Sequence, residues 1–295
     1  MNKILSCICV VLLLIVLNVN GEEENVLETS EEKTDNQHNV VLVNDNEVFT
    51  NDLTSYLIGV VAAEMPASFE IEALKAQAIA ARTYVLAYQS NNDVIQTNTN
   101  AQVYISEEEM HEKWLEQYDL YYNKISSAVS STEGLILTYE GKPIKAYYYS
   151  MSNGYTESSL NVFNEQTDYL NIVESKWDKD NENISYLSKN DFCQKLSIDC
   201  SNIIIENIVK DNSNRVSQIT INNQEFTGIN IRKLLGLRST DFEFSLESEK
   251  VKITTHGYGH GVGMSQYGAN YMAKEGYTYK EILLHYYQNV EISKM

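Results

Sequence analysis

Four glycines at alternate positions, Gly257, Gly259, Gly261 and Gly263, constrain this chain more than any other feature. They lie in the segment HGYGHGVGMSQYGA at 256–269. Glycine is costly inside a helix, so 256–263 is not expected to be helical. Alternate glycines instead clear one face of an extended segment, or admit positive φ and the close approach of another backbone or a ligand. Three kinds of chemistry compete for such a loop. His256 and His260 are candidates for a metal pair, but no Glu follows His256 as the helical H-E-x-x-H motif demands. A phosphate cradle needs P-loop spacing, which this segment lacks. The third reading is a loop that presents His260, Ser265, Gln266 and Tyr267 to a polar ligand through side chains and backbone. That reading is adopted, with a purely structural loop as its rival.

A second distinctive stretch is VVAAEMP at 60–66, followed by EALKAQAIAARTY at 72–84. Leu53, Tyr56, Leu57, Val60 and Val61 recur at helical spacing, and Thr50 or Asn51 can cap them. Pro66 ends this helix, because the residue before a proline is pushed out of the helical region. Glu64 therefore sits at a helix C-terminus, where the dipole disfavours a carboxylate, among Val, Ala and Met side chains that solvate it poorly. Both effects raise its pKa, as a general acid for glycosidic cleavage requires. An exposed glutamate that happens to end a helix is the bland alternative. A second helix spans about 70–88, and its alanines (Ala73, Ala76, Ala78, Ala80, Ala81) permit close packing. Lys75 and Arg82 share one of its faces, with Gln77 off that face. The two cations are candidates to approach Glu64 or a substrate carboxylate, against the alternative of a solvated basic stripe.

Elsewhere, 40–43 and 47–49 read as short strands joined by an Asn/Asp turn, and 107–129 as one helix. Strands at 135–139 and 145–149 flank Gly141 as a hairpin, and short helices and strands alternate over 175–250. Thr278 and Glu281 form a capping box for the last helix. No βαβ rhythm runs through the chain. The expected class is α+β, with mixed helices and short strands forming a groove, rather than a doubly wound sheet. The region 40–295 carries this fold. Residues 1–21 read as a signal peptide or membrane anchor: Lys3 precedes an apolar run at 4–17, shorter than the roughly 20 residues that span a bilayer. Residues 22–39 read as an acidic tether. The expected location is the cell wall or the outer face of the cytoplasmic membrane. A formal charge of -19, from 22 basic and 41 acidic residues, excludes nucleic acid as a partner. The 21 tyrosines suit sugar binding, with compositional bias as the alternative. Cys193 and Cys200 lie outside the export segment, and a disulfide or two separate thiols are both open.

Together with YYYSMSNGYTE at 147–157, IRKLLGLRSTDF at 231–242 and EGYTYKEILLHYY at 275–287, these segments resemble the stage II sporulation protein D (SpoIID/LytB) family. The resemblance implies a lytic transglycosylase acting on peptidoglycan glycan strands already freed of stem peptides. Such an enzyme cuts between N-acetylmuramic acid and N-acetylglucosamine and leaves 1,6-anhydro ends. The implied setting is engulfment during sporulation, alongside a cell-wall amidase and a membrane protein. The resemblance places the catalytic acid on Glu64; Lys75, Gln77, Arg82, Ser150, Ser152 and the 260–267 residues above are the candidate substrate contacts. One carboxylate suffices, because the 6-hydroxyl of the same N-acetylmuramic acid is the nucleophile and no cofactor is needed. Many members carry a zinc site of one His and two Cys ahead of the Q-x-Y that matches Gln102-Val103-Tyr104. Here the cysteine positions fall near Ile95 and Ala101, so no metal is expected. Tyr149 stands where the family often has His, and Asn153 where Gly is frequent, so glycan contacts near 145–157 are expected to differ. The family includes modifiers of amidases, which makes a non-catalytic wall-binding protein that stimulates an amidase the alternative. A metallohydrolase built on His256 and His260 is the third reading.

Overall fold

The first helix, α1 (Leu53–Glu64), is apolar on nearly every side, and a helix of that kind belongs inside a core. Leu53, Tyr56, Leu57, Val60 and Val61 are all fully buried. The cap is Asp52, whose side chain accepts from the Ser55 N–H at 2.9 Å, rather than Thr50 or Asn51. Those two residues are still paired in the hairpin of β1 (Asn39–Asn44) and β2 (Glu47–Asp52). At the other end Met65 has φ -121° and ψ 140°, so the helix stops at Glu64 ahead of Pro66, as the sequence predicts. Gly59 leaves room for Tyr104: a Cβ there would stand 2.2 Å from a carbon of the Tyr104 ring. The computed structural model describes residues 39–44, 47–89, 94–98, 101–178 and 182–295. The export segment, and the tether up to residue 38, lie outside them.

The second helix, α2 (Ile71–Gln89), buries Ala73, Ala76, Ala78, Ala80 and Ala81 completely. This small-residue surface lets α1 pack close, together with α4 (Tyr118–Ser130), α8 (Gln266–Lys274), α9 (Tyr279–Tyr286) and the strand β4 (Leu135–Tyr139). Each fully buried Leu, Ile or Val in such a core contributes about 1.5–3 kcal/mol.

Two elements differ from the sequence reading. The single helix expected at 107–129 is two, α3 (Glu107–Trp114) and α4, separated by a 3₁₀ turn at Leu115–Gln117. Leu115 takes a positive φ of 47° at the break and is exposed, while Trp114 and Tyr118 on either side of the turn are buried. The break thus lets both helices face the core. The expected hairpin is also shorter. β4 turns at Glu140 and Gly141, both at positive φ, and returns as β5 (Lys142–Pro143). The next strand, β6 (Tyr148–Tyr149), pairs in parallel with β13 (Met264–Ser265) instead. That pairing joins the tyrosine segment to the end of the glycine loop.

Apolar burial divides into two cores. The larger is built from residues 40–177 and 262–290, the smaller from Phe192, Ile219, Ile221, Ile231, Phe242, Ile253 and their neighbours. The smaller lobe carries two three-stranded sheets. One runs β11 (Asp241–Leu246), β12 (Lys250–His256), β7 (Glu182–Ser188). The other runs β10 (Gln224–Thr227), β9 (Val216–Ile221), β8 (Ile205–Lys210). Helices α6 (Lys189–Leu196) and α7 (Gly228–Leu235) complete it. Cys193 and Cys200 are bonded to each other at the end of α6, with a Cα–Cα distance of 5.7 Å. Many short helices and strands in small sheets, without a doubly wound core, make this an α+β fold.

Candidate active site

Glu64 ends α1 where Pro66 stops the helix, so its carboxyl leaves the core at a fixed point. Its Oε1 accepts the backbone N–H of Val103 at 2.9 Å. The side chains of Tyr148 and Gln266 also hydrogen-bond this carboxyl. Burial raises the Glu64 pKa, and the three donors, each favouring the ionised form, offset part of that rise. The net effect is a carboxyl shifted toward its protonated form.

The donor side is itself held in place. Gln102 is fully buried; its Nε2 donates to the Ala81 carbonyl at 3.3 Å and to the Tyr148 hydroxyl at 3.1 Å, while its Oε1 accepts from the Tyr56 hydroxyl at 2.9 Å. Because Tyr148 accepts from Gln102, its own proton is free for Glu64. Burial, with the Glu64 charge beside it, keeps the Tyr148 hydroxyl well above its usual pKa and therefore protonated. On the other flank Gln266 Nε2 lies 3.4 Å from Gln77 Oε1, and Gln77 Nε2 has no partner among the described residues.

Two cavities open on Glu64. One of about 250 Å³ is walled by Tyr84, Tyr147, Tyr148, Phe163 and His260. The other, of about 460 Å³, is walled by Lys113, Trp114, Tyr121, Ser150, Gln266 and Tyr267. Glu64 lines both, so a chain-like ligand laid along this groove passes the carboxyl midway. The aromatic walls suit sugar rings, which offer C–H faces to aromatic surfaces and hydroxyls to polar tips. Lys113 Nζ also donates to the Ala62 carbonyl at 2.8 Å, satisfying one of the open acceptors at the end of α1.

The glycine loop closes the site from below. Gly257, Gly259, Gly261 and Gly263 all have positive φ. At Gly263 a Cβ would fall 1.9 Å from the Tyr147 carbonyl oxygen, so only glycine permits the β6–β13 contact. His260 is packed among Tyr147, Tyr149 and Phe163 at ring-centroid distances of 6.1, 5.8 and 5.4 Å. Its Nδ1 accepts from the Val262 N–H at 3.0 Å, which places the imidazole proton on Nε2. Burial, and then the charge of Arg232, pushes its pKa down to about 4, so it is a neutral wall of the groove.

Of the residues expected at the site, Glu64, Gln266, Tyr267, Ser150 and His260 line the groove, and Gln77 stands behind Gln266. Four do not line it. Arg82 is fully buried, and its guanidinium donates to the Leu135 and Val129 carbonyls at 3.2 and 3.3 Å. That face of α2 is covered by β4 and α4, which leaves no path to the groove. Lys75 pairs with Glu72 at 2.7 Å at the start of α2. Ser152 and Ser265 are fully buried: the Ser152 hydroxyl donates to the Tyr155 carbonyl at 3.0 Å, while Asp178 accepts from the Ser152 backbone N–H at 3.0 Å and from the Ser265 hydroxyl at 2.8 Å. Asp178 also accepts from the Ser175 hydroxyl at 2.7 Å, and burial lifts its pKa to about 6 despite these donors. It ties the 150–157 segment to the start of α8, so these two serines support the site without touching a ligand.

His256 ends β12, where its backbone pairs with Asp241 and Glu182; no group of three or more potential metal-ligating side chains occurs among the described residues. Ile95 is buried in the apolar core and Ala101 lines the smaller cavity. Neither offers a donor atom, so this part of the chain does not fit zinc. The residues that sequence reasoning missed are Tyr148, Tyr147, Phe163, Tyr84, Lys113 and Asp178. The Q-x-Y segment and the tyrosine triplet at 147–149 were the available signals.

Comparison with known proteins gives one consistent picture. Residues 44–139 match the SpoIID family model, described as stage II sporulation protein. Stage II sporulation protein D of Bacillus subtilis (strain 168) is 41% identical over 255 residues, covering 82% of this chain and 74% of that protein. The counterpart from Bacillus amyloliquefaciens is 41% identical over 257 residues, with the same coverage of 82% and 74%. An "Amidase enhancer" of Bacillus subtilis (strain 168) is 27% identical over 296 residues, covering 80% of this chain and 40% of the enhancer.

Proposed function

The chain belongs to the SpoIID family of stage II sporulation proteins, and from that premise we propose that it is a peptidoglycan lytic transglycosylase with Glu64 as its single catalytic carboxyl. The observation that supports this most is the place of Glu64: a half-buried, protonation-prone carboxyl midway along an aromatic-walled groove.

Glu64 donates its proton to the glycosidic oxygen between N-acetylmuramic acid and N-acetylglucosamine as the C1–O bond breaks. The developing carboxylate is stabilised where it forms by the Val103 N–H, Tyr148 and Gln266. The 6-hydroxyl of the same N-acetylmuramic acid then bonds to C1 and gives its proton to Glu64, which regenerates the acid and leaves a 1,6-anhydro end. The nucleophile is part of the substrate, so its effective concentration is high and no second carboxylate is required to position water. The strands are those left by a cell-wall amidase. That enzyme, with a membrane protein of the engulfment machinery, is the proposed company of this one. The proposed location is beyond the cytoplasmic membrane, reached through residues 1–21.

The test is mass analysis of amidase-treated strands incubated with the protein. We expect 1,6-anhydro ends with wild type and none with Glu64→Gln. Hydrolytic ends from wild type, or anhydro ends from the variant at the wild-type rate, refute the assignment. A second reading, a non-catalytic protein that stimulates an amidase, draws support from the similarity to the amidase enhancer. In that case Glu64→Gln stimulates a purified amidase as well as wild type does, and neither protein cleaves strands alone.

A further inference from the structure

A further cavity, of about 380 Å³, lies where the larger core meets the smaller lobe. That volume is in the range of small-ligand pockets. Its walls include Asn161 and Val162 of the short helix α5 (Ser159–Phe163) and Ile229 and Asn230 in the first turn of α7, with the carboxyls of Glu157 and Asp211 between them. Two walls are shared with the groove on Glu64. On α5, Asn161 and Val162 face this cavity while Phe163 lines the groove. Next to α5, the Glu157 N–H donates to the Gly261 carbonyl at 2.7 Å, beside His260 in the groove wall. Phe163 is 37% exposed, so its ring is open to a ligand that passes from one cavity to the other.

The cavity carries less charge than two carboxyls suggest. Ser213 Oγ lies 2.7 Å from both Glu157 Oε2 and Asp211 Oδ1. A hydroxyl has one proton, so it donates to one of these oxygens and accepts from the other. Asp211 Oδ1 also accepts the N–H groups of Ser213 and Arg215 at 2.8 and 3.1 Å, as an ionised oxygen does. Glu157 Oε1 accepts the Ser158 N–H at 2.7 Å and the Asn161 amide at 2.9 Å, which leaves Oε2 as the oxygen that holds the proton. Burial, and then the neighbouring Asp211, raise the Glu157 pKa in the same sense. One negative charge remains, on Asp211. It disfavours an anionic ligand and leaves the cavity fit for a neutral one. The walls add amide and aliphatic groups: the Asn230 side chain has no partner among the described residues, and Ile229 is 43% exposed.

A strand of alternating N-acetylglucosamine and N-acetylmuramic acid offers matching chemistry at one of its two sugars. N-acetylmuramic acid without its peptide carries a carboxylate. N-acetylglucosamine is neutral and carries an acetamido group and hydroxyls. We propose that the cavity between α5 and α7 is a distal saccharide subsite, which holds an N-acetylglucosamine residue of the strand that lies along the Glu64 groove. The acetamido methyl rests on Val162 and Ile229, and the Asn230 amide hydrogen-bonds the sugar. The proposal rests on the reading of the Glu64 groove as a glycan site and extends it. A grip at this distance fixes the register of the strand over Glu64 and makes long strands better ligands than short ones.

The experiment measures binding, so that it does not depend on turnover. Full-length protein carrying Glu64→Gln is titrated calorimetrically with amidase-treated glycan oligomers of increasing length. Affinity per binding register should rise once the oligomer is long enough to pass Phe163. Asn230→Ala in that background should weaken long oligomers about two- to tenfold more than short ones, the range for a neutral hydrogen bond. Ile229→Trp, which fills the cavity, should remove the gain with length. Both positions are exposed on the first turn of α7, and an unchanged melting midpoint confirms the fold of each variant. Affinity per register that does not change with length overturns the proposal, as do variants that weaken short and long oligomers in proportion. Parallel cleavage assays on the protein with Glu64 intact separate the two readings. If it cleaves no strand while the gain with length and its loss in Ile229→Trp are both seen, the cleavage reading fails and the subsite stands. If it cleaves strands but shows no gain with length, the subsite fails alone. Absence of binding at every length refutes both.

Discussion

Replacing Tyr148 with Phe removes one hydroxyl and little volume, and two hydrogen bonds go with it. The hydroxyl donates to Glu64 and accepts from Gln102 Nε2 at 3.1 Å. Its bond to Glu64 favours the ionised carboxyl, so its loss raises the Glu64 pKa further above the usual carboxylate range. The same bond strengthens as the proton leaves Glu64 in the transition state. A hydrogen bond to a charged group contributes about 1.5–3 kcal/mol, so kcat should fall by roughly ten- to a hundredfold. Gln102 keeps only the Ala81 carbonyl at 3.3 Å for its Nε2, in a fully buried position. That costs about 1–2 kcal/mol of stability and lowers the melting midpoint by about 2–8 °C. The assay is the pH profile of kcat/KM on amidase-treated strands. A general acid with a raised pKa loses activity as pH rises through that pKa, so the alkaline limb of Tyr148→Phe should lie above that of wild type while the maximum is lower. An alkaline limb that stays put or moves down, at undiminished kcat, refutes the role given to Tyr148.

Gly268→Ala should unfold at a temperature several degrees lower, because its Cβ would fall 2.1 Å from the Tyr286 hydroxyl and 2.7 Å from Asp178 Oδ2; a melting curve identical to wild type refutes the packing argument. Ser substitution of both Cys193 and Cys200 should leave strand cleavage intact, since the pair sits in the smaller core, while thermal unfolding reports a loss of about 2–3 kcal/mol for a loop this short. Stability should decline as pH rises from about 4 to 6, because the folded protein holds the Asp178 proton up to about 6 and the unfolded chain releases it near 3.8. Denaturant titrations across that range check this, and Asp178→Asn should flatten the slope.

Legibility in the sequence tracks how local the physics is. Pro66 and the apolar spacing of 53–61 fix the end of α1 within a few residues, so Glu64 could be placed at a helix terminus with its pKa raised. The glycines at 257–263 announced close backbone contact, though not with which segment. Gly257, Gly259 and Gly263 meet the 147–153 segment, more than a hundred residues away, while Gly261 meets Arg215, and the pairing of Met264 with Tyr148 is a matter of tertiary register. For that reason nothing in three consecutive tyrosines told which one meets Glu64. Lys75 and Arg82 failed for a related reason. Helical spacing told that they share a face, but β4 and α4 cover Arg82, and both packing partners lie downstream in the chain. Ser152 and Ser265 looked like ligand contacts because small hydroxyls beside glycines commonly are. The Ser152 hydroxyl is taken by the Tyr155 carbonyl and the Ser265 hydroxyl by Asp178, which sits in a stretch with no recognisable motif.

The three donors to Glu64 come from separate parts of the fold: Val103 from the loop ahead of α3, Tyr148 from β6 and Gln266 from the first turn of α8. Burial and hydrogen bonding act on this carboxyl in opposite directions. That opposition fits the chemistry proposed for it, since one group must give a proton in the first half of the reaction and take one in the second. Burial alone would make a carboxyl that holds its proton too tightly to release it, and donors alone would make one that is never protonated at neutral pH. The balance depends on β6 and β13 staying paired, because that contact sets Tyr148 and Gln266 on either side of Glu64. The pairing in turn requires glycine at 263, where any Cβ meets the Tyr147 carbonyl. The glycine loop therefore sets the surroundings of a carboxyl nearly two hundred residues away in sequence, through the β6–β13 contact.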